Sequence, residues 1–393
     1  MKHSIFPLTL ILLTMSSCYS QKQNILLQNY STYKEILYEK ESKGGQYASW
    51  KLSRIGEYDE AKQLFEETKN YSFDSGIKPF NFKLTNSVNF IDSISKHEQA
   101  IFINEAHHIS QHRNFIRRIL PALYKNGYRH LGMEAFNSKD SLINERGYPI
   151  KESGFYTKDP EYGELIRDAI NLGFTIFGYE TSKGKNGKER EIEQAKNIIS
   201  KTIQKDKNAK ILIIAGFDHI REDTLFRSWG KAMAGRFYEY SGINPITIDQ
   251  VQFTPQFYEK NTNPLLKNKT FNISSTPLNS FKNPYSEKGF DFYIFHPHFK
   301  LKQSIKEWKY SFDRFPLYVH KEFIKPNENY LILAYDFNEY QNEKSTNRLI
   351  PKDIVSIKQK NRPLVLKQGK YFIEIINAKK EVIYSTTITH KLK

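Results

Sequence analysis

The pattern of apolar and polar positions divides the chain into unlike parts, and the most informative part begins at Ala100. Ala100 to Asn104 is an apolar run closed by Glu105, His107 and His108; Ile116, Ile119, Leu120 and Leu123 follow at helical spacing; a second apolar run closes at Glu134. A short apolar, β-branched run ending in charge reads as a buried parallel strand whose carboxyl end faces a crevice. The unit therefore reads strand, helix, strand. The same design recurs in Phe174 to Glu180 and in Lys210 to His219. In an open α/β sheet these four ends share one edge, so Glu105, His107, His108, Glu134, Glu180 and His219 are expected to converge.

The flanks follow other rhythms. Residues 24–80 read as helical, with a Gly-x-Tyr turn at Gly56 between two apolar faces, the pattern of a single helical hairpin. One hairpin cannot bury its own face, so it is expected to pack on the α/β unit. That unit spans 95–255, and its long segment from Asn137 to Gly163 is expected to form a lid or substrate wall bearing Tyr148, Phe155, Tyr156 and Tyr162. Residues 256–286, rich in Asn, Pro, Ser and Lys, read as a linker. Short alternating runs from Phe290 to Ile388 predict an antiparallel β-sandwich over 287–393. The predicted fold class is thus α/β, a mainly parallel sheet flanked by helices, with an amino-terminal helical hairpin and a carboxyl-terminal sandwich.

At the amino terminus, a basic start and the apolar run Ile5 to Met15 have signal-peptide length and lead to Met15-Ser-Ser-Cys18. Small residues before the chain's one cysteine predict a lipoprotein signal over 1–18, with Cys18 lipidated, a membrane reached through that anchor, and a place in the cell envelope. The formal charge of +16 comes from lysines scattered through the chain, with no basic block, so nucleic acid is not an expected partner.

The strand-end residues resemble a known superfamily, that of the erythromycin esterases, the Tiki and TraB type metalloproteases and the haem-binding iron-uptake lipoproteins. Asn104-Glu105-Ala106-His107-His108 is similar to the esterase Gly-Glu-x-x-His motif with Asn at the glycine position, Arg117 falls where the helix arginine does, and Gly132-Met-Glu134 matches the closing glutamate. Gly216-Phe-Asp-His219 is similar to the metalloprotease Gly-x-x-His motif, and Arg190 to Asn197 to the family's arginine-opened helix. The esterase pattern selects His108, the metalloprotease pattern His107, and both stand as candidates.

Two chemistries follow. In the first, Glu105, His108, Glu134 and His219 activate water while Arg117 and Arg190 supply positive charge to a developing oxyanion. In the second, a divalent ion such as zinc, manganese or cobalt sits among His107, Glu134, Glu180 and His219. Either makes the chain a hydrolase of an ester or peptide bond. No Gly-x-Ser-x-Gly or His-Glu-x-x-His motif competes. The resemblance also implies an alternative, a haem- or ligand-binding lipoprotein without catalysis.

Overall fold

The computed structural model describes residues 30–70, 83–181, 184–224, 228–266, 271–278, 289–319, 328–358 and 362–391. The expected signal segment and Cys18 lie outside them, as do residues 24–29 and 71–80 of the expected helical region and residues 267–270 and 279–286 of the expected linker. Among the described residues no helix is long and apolar enough to cross a membrane.

Three helices open the fold: α1 (Tyr33–Lys43), α2 (Gly45–Arg54) and α3 (Tyr58–Glu66). Gly56, at φ +82°, makes the turn between α2 and α3, where a Cβ would lie 3.2 Å from the Ile354 carbonyl. Next come β1 (Lys83–Asn86), α4 (Ser87–Ser95), β2 (Ala100–Glu105), α5 (Ser110–Lys125), β3 (Tyr128–Met133), α6 (Ile143–Arg146), α7 (Pro160–Leu172) and β4 (Thr175–Gly178). The α/β unit continues through α8 (Gly187–Lys201), β5 (Lys210–Gly216), α9 (Met233–Ser241), β6 (Ile246–Asp249), β7 (Ser275–Leu278) and β8 (Phe292–Tyr293).

Six of these strands form a parallel sheet in the order β4-β3-β5-β2-β6-β8. Both faces are covered, as near-continuous apolar strands require. Ile101, Ile103, Leu131, Met133, Leu212 and Ile214 pack under α5 and α7. The alternate positions Phe102, Ile211, Ile213 and Ala215 pack under α8 and α9. Because β5 lies between β2 and β3, with Glu105 in register with Gly216 and Met133 with Ile214, the ends of three strands adjoin.

The carboxyl-terminal part holds β9 (Leu301–Lys302), β10 (Ile305–Lys306), β11 (Phe315–Leu317), β12 (Tyr330–Asp336), α10 (Phe337–Glu343), β13 (Asp353–Ile357), β14 (Leu364–Leu366), β15 (Gly369–Ile376) and β16 (Val382–His390). Its main sheet is antiparallel, in the order β13-β12-β15-β16, beside the short ladders β11-β14 and β10-β9. Period-two alternation along β12 divides its side chains: Tyr330, Ile332 and Ala334 face the core shared with β14, while Leu331, Leu333 and Tyr335 face the amino-terminal helices.

Three elements depart from the sequence reading. The helical hairpin buries Ile36, Leu52, Ile55, Ala61 and Leu64 chiefly against the carboxyl-terminal sheet, not the parallel one. Phe292–Tyr293, expected to open the sandwich, instead extends the parallel sheet beside β6. Ser275–Leu278, expected as linker, pairs antiparallel with β1. Each is a long-range pairing that local periodicity cannot report.

Candidate active site

Glu105 ends β2, and the turn that follows brings His107 back beside it. His107 Nδ1 lies 3.0 Å from Glu105 Oε1. Arg113, in the first turn of α5, donates from Nε to Glu105 Oε2 at 2.7 Å and from Nη2 to Oε1 at 3.2 Å, and reaches the His107 carbonyl at 2.9 Å. Burial pushes the Glu105 carboxyl up, but Arg113 and His107 outweigh it and hold the group below the usual carboxylate range. Tyr156 fixes the imidazole plane, stacked at 3.8 Å between ring centres. Trp50 of α2 stands edge-on to Tyr156 at 5.3 Å and 6.3 Å from His107, so the amino-terminal helices supply part of the wall.

Glu134 follows β3 and turns toward β5, where its Oε2 accepts the Gly216 N–H at 2.6 Å. A Cβ at Gly216 would sit 2.6 Å from both Cε1 and Nε2 of His107 and 3.2 Å from Glu134 Oε2. Only glycine allows this approach. The next residue, Phe217, has φ +46°, a left-handed conformation that Asn104 stabilises by donating from Nδ2 to its carbonyl at 3.0 Å. Asn104 also donates to Asp249 Oδ1 at 2.7 Å and accepts from the Gln250 N–H at 2.9 Å. The asparagine at the expected glycine position therefore ties β2 to β6 and to the turn after β5.

Opposite stands α8. Arg190 donates to Glu134 Oε1 at 2.5 Å and, through Nε and Nη2, to both oxygens of Glu180 at 3.0 and 2.5 Å. Its Nη1 lies 2.9 Å from His219 Nε2. His219 Nδ1 lies 3.0 Å from Glu191 Oε2, and the same oxygen accepts the Met233 N–H at 2.8 Å. Trp229 stacks on the His219 ring at 5.0 Å. Two histidines thus each hold a glutamate through Nδ1 and direct Nε2 toward the Glu134 region, the arrangement that keeps an imidazole in one tautomer.

The charges sort the roles. Burial raises the Glu134 carboxyl, yet His219, His107, Arg190 and the Gly216 N–H together bring it down to about 2. Burial lowers His219, while Glu134 and Glu191 overcome burial and Arg190 to raise it above its ordinary value. The 2.9 Å Arg190 contact suits the neutral ring, whereas the protonated ring has Glu134 Oε1 at 3.6 Å as an ion-pair partner. Arg190 stays charged because Glu180 and Glu134 outweigh its burial.

The structure brings together Glu105, His107, Glu134, Glu180, Arg190 and His219. It does not bring in His108 or Arg117. His108 falls on the other side of the turn, buried and stacked on Phe65 at 3.7 Å. Arg117 is one helical turn beyond Arg113 and is buried between Asp168 at 2.7 Å and Glu161 at 3.1 Å, a structural ion cluster. Of the expected wall aromatics, Tyr156 lies on His107, the exposed Phe155 packs edge-on against Tyr156, Tyr162 sits under Arg113, and Tyr148 joins the core of the amino-terminal helices.

Glu191, Arg113 and the packing role of Gly216 went unrecognised in the sequence. Arg113 was accessible to reasoning, since only the first turn of a helix stays beside the strand it follows. Among the described residues no group of three or more His, Cys, Asp or Glu side chains is arranged to hold a metal ion. The Arg190 guanidinium fills the space between Glu134, Glu180 and His219, three of the four expected ligands, so this arrangement does not fit a divalent ion.

No family model and no curated protein matches the chain. Among solved structures it is similar to the type III effector HopBA1, at 13% identity and a TM-score of 0.30, over 43% of this chain and 86% of that one. It is also similar to RRSP, a MARTX toxin effector domain from Vibrio vulnificus, at 14% identity and a TM-score of 0.31, over 55% of this chain and 45% of that one. A third similarity is to the C-terminal region of Pasteurella multocida toxin, described as having a thiol-protease like catalytic triad, at 11% identity and a TM-score of 0.28, over 84% of this chain and 52% of that one.

Proposed function

We propose that the chain is a hydrolase that activates water with two histidine and glutamate pairs and cleaves an ester or peptide bond. The observation that carries this reading is the meeting of His107 and His219, each held through Nδ1 by its own glutamate, at the ionised Glu134. A water held by Glu134 gives its proton to His107 Nε2 as its oxygen attacks the substrate carbonyl. The negative charge that develops on the carbonyl oxygen faces Arg190. Protonated His219 then gives its proton to the leaving oxygen or nitrogen as that bond breaks. Exchange with solvent returns both imidazoles to their starting states.

Membership in the erythromycin esterase and Tiki-like superfamily belongs to the same proposal, supported by the order of Glu105, His107, Glu134 and His219 along successive strand ends; fold alone does not choose the substrate. Export and a lipid anchor at Cys18 complete it, placing substrate in the cell envelope. The test is turnover of a panel of aryl esters and peptides by the chain and by His107→Ala and His219→Ala. Each substitution is expected to cost roughly 10²- to 10⁴-fold in kcat, the usual contribution of a positioned acid or base. Equal turnover by both variants and the parent would end the proposal.

A further inference from the structure

Away from the cleft, the amino-terminal end of α5 opens into a recess that the proposed reaction does not use. Lys62, His108, Ser110, Gln111, His298 and Trp308 are among the residues that line it. His108 is 2% exposed and neither of its ring nitrogens has a hydrogen-bond partner; Gln111 is 8% exposed and its Nε2 is likewise unpartnered. Buried polar atoms seldom stay unsatisfied, so unpartnered groups on two residues that line one space indicate something that fills it.

The surroundings specify the sign of that occupant. Residue Ile109 caps α5 with no side-chain acceptor, so the amino-terminal end of a 16-residue helix faces the recess, and Asp159, the carboxylate beside that end, is taken up by Ser110 and by Arg113 at 3.1 Å. Lys62 donates to the Pro255 carbonyl at 2.7 Å. The carboxylates nearest Lys62 are engaged elsewhere: Asp59 pairs with Lys306 at 2.7 Å, and Glu66 accepts from the Phe257 and Tyr258 N–H groups. Burial, then Lys306, draws the Lys62 pKa down to about 8 against Asp59 and Glu66, so the amine is charged at neutral pH. Burial, then the positive charge of Lys62, His107, Arg113 and Lys69, draws His108 well below its ordinary value, and Asp59, a carboxylate on the recess wall, is paired with Lys306. Ser110 is committed to Asp159 at 2.6 Å.

We propose that this recess is a binding site for a small monovalent anion of halide or formate size, held by Lys62, the Gln111 side-chain amide and the amino-terminal end of α5. Its room of about 40 Å³ limits the occupant. By that measure the space takes roughly two or three waters or one such anion.

Crystals of the full chain soaked in sodium bromide test the assignment. An anomalous peak within hydrogen-bonding reach of Lys62 Nζ and Gln111 Nε2 is expected. In solution, replacing sodium gluconate with sodium chloride at equal ionic strength should raise the melting temperature by on the order of 2 °C. Lys62→Met and Gln111→Leu should abolish that difference, and Gln111→Leu, which keeps the lysine, serves if the first fails to fold. Water density without an anomalous signal, together with equal melting temperatures in the two salts, would overturn the proposal.

Discussion

The Gly216 N–H donates to Glu134 at 2.6 Å while the His107 ring occupies the space where a side chain on Gly216 would begin. One backbone position thereby sets the distance between a carboxylate and the base beside it. Gly216→Ala must push the imidazole aside. Its expected effect is a loss of kcat of about 100-fold, the scale of an ångström's misplacement, with the fold intact by circular dichroism.

Arg117 of α5 and Arg190 of α8 should separate cleanly. Arg117 is buried among Glu161, Glu164 and Asp168, so Arg117→Met strands carboxylates and is expected to cost about 3–5 kcal/mol of stability in denaturant titrations. Turnover per folded molecule should stay near that of the parent. Arg190→Lys should do the reverse, keeping a charge but losing the fork that spans Glu134 and Glu180. A fall in kcat of at least about 10-fold with little change in melting is expected.

His219 provides the pH signature. Its pKa is raised in the fold, so the stabilisation from its glutamates is fully present below the ordinary imidazole value of 6.5 and is lost as pH rises through the raised value. Activity that needs the protonated ring should therefore decline on the alkaline side. Glu191→Gln removes one source of the upward shift, and the alkaline limb of the kcat profile should move to lower pH. Glu134 works with the opposite sign: its stabilisation is present above the ordinary 4.5 and is lost as pH falls toward about 2.

Exhaustive dialysis against a chelator should leave at least about half the activity, because a guanidinium already neutralises Glu134 and Glu180. Loss of activity restored by zinc, manganese or cobalt would show that Arg190 gives way to a metal in the working enzyme.

The convergence of strand ends was legible because parallel strands with charged tips leave few alternatives. Choosing between His107 and His108 was not, because β2 ends at Glu105 and both histidines lie in the turn after it, where strand alternation no longer sets the side. Glu191 was harder to see. Its role depends on how α8 is rotated and on α9 delivering the Met233 N–H, neither of which is written in the local pattern. The placement of β8 and of the amino-terminal helices was hidden for the same reason, since each pairs with a partner distant in the chain.

Phe65 of α3 stacks on His108 and lies parallel to Phe217, whose ring meets His107 edge-on. With Trp50, it makes the rim of the cleft a contribution from a stretch that carries none of the proton-handling groups. Exchange or gradual drift of that stretch between related chains would retailor what the cleft admits while leaving its chemistry untouched.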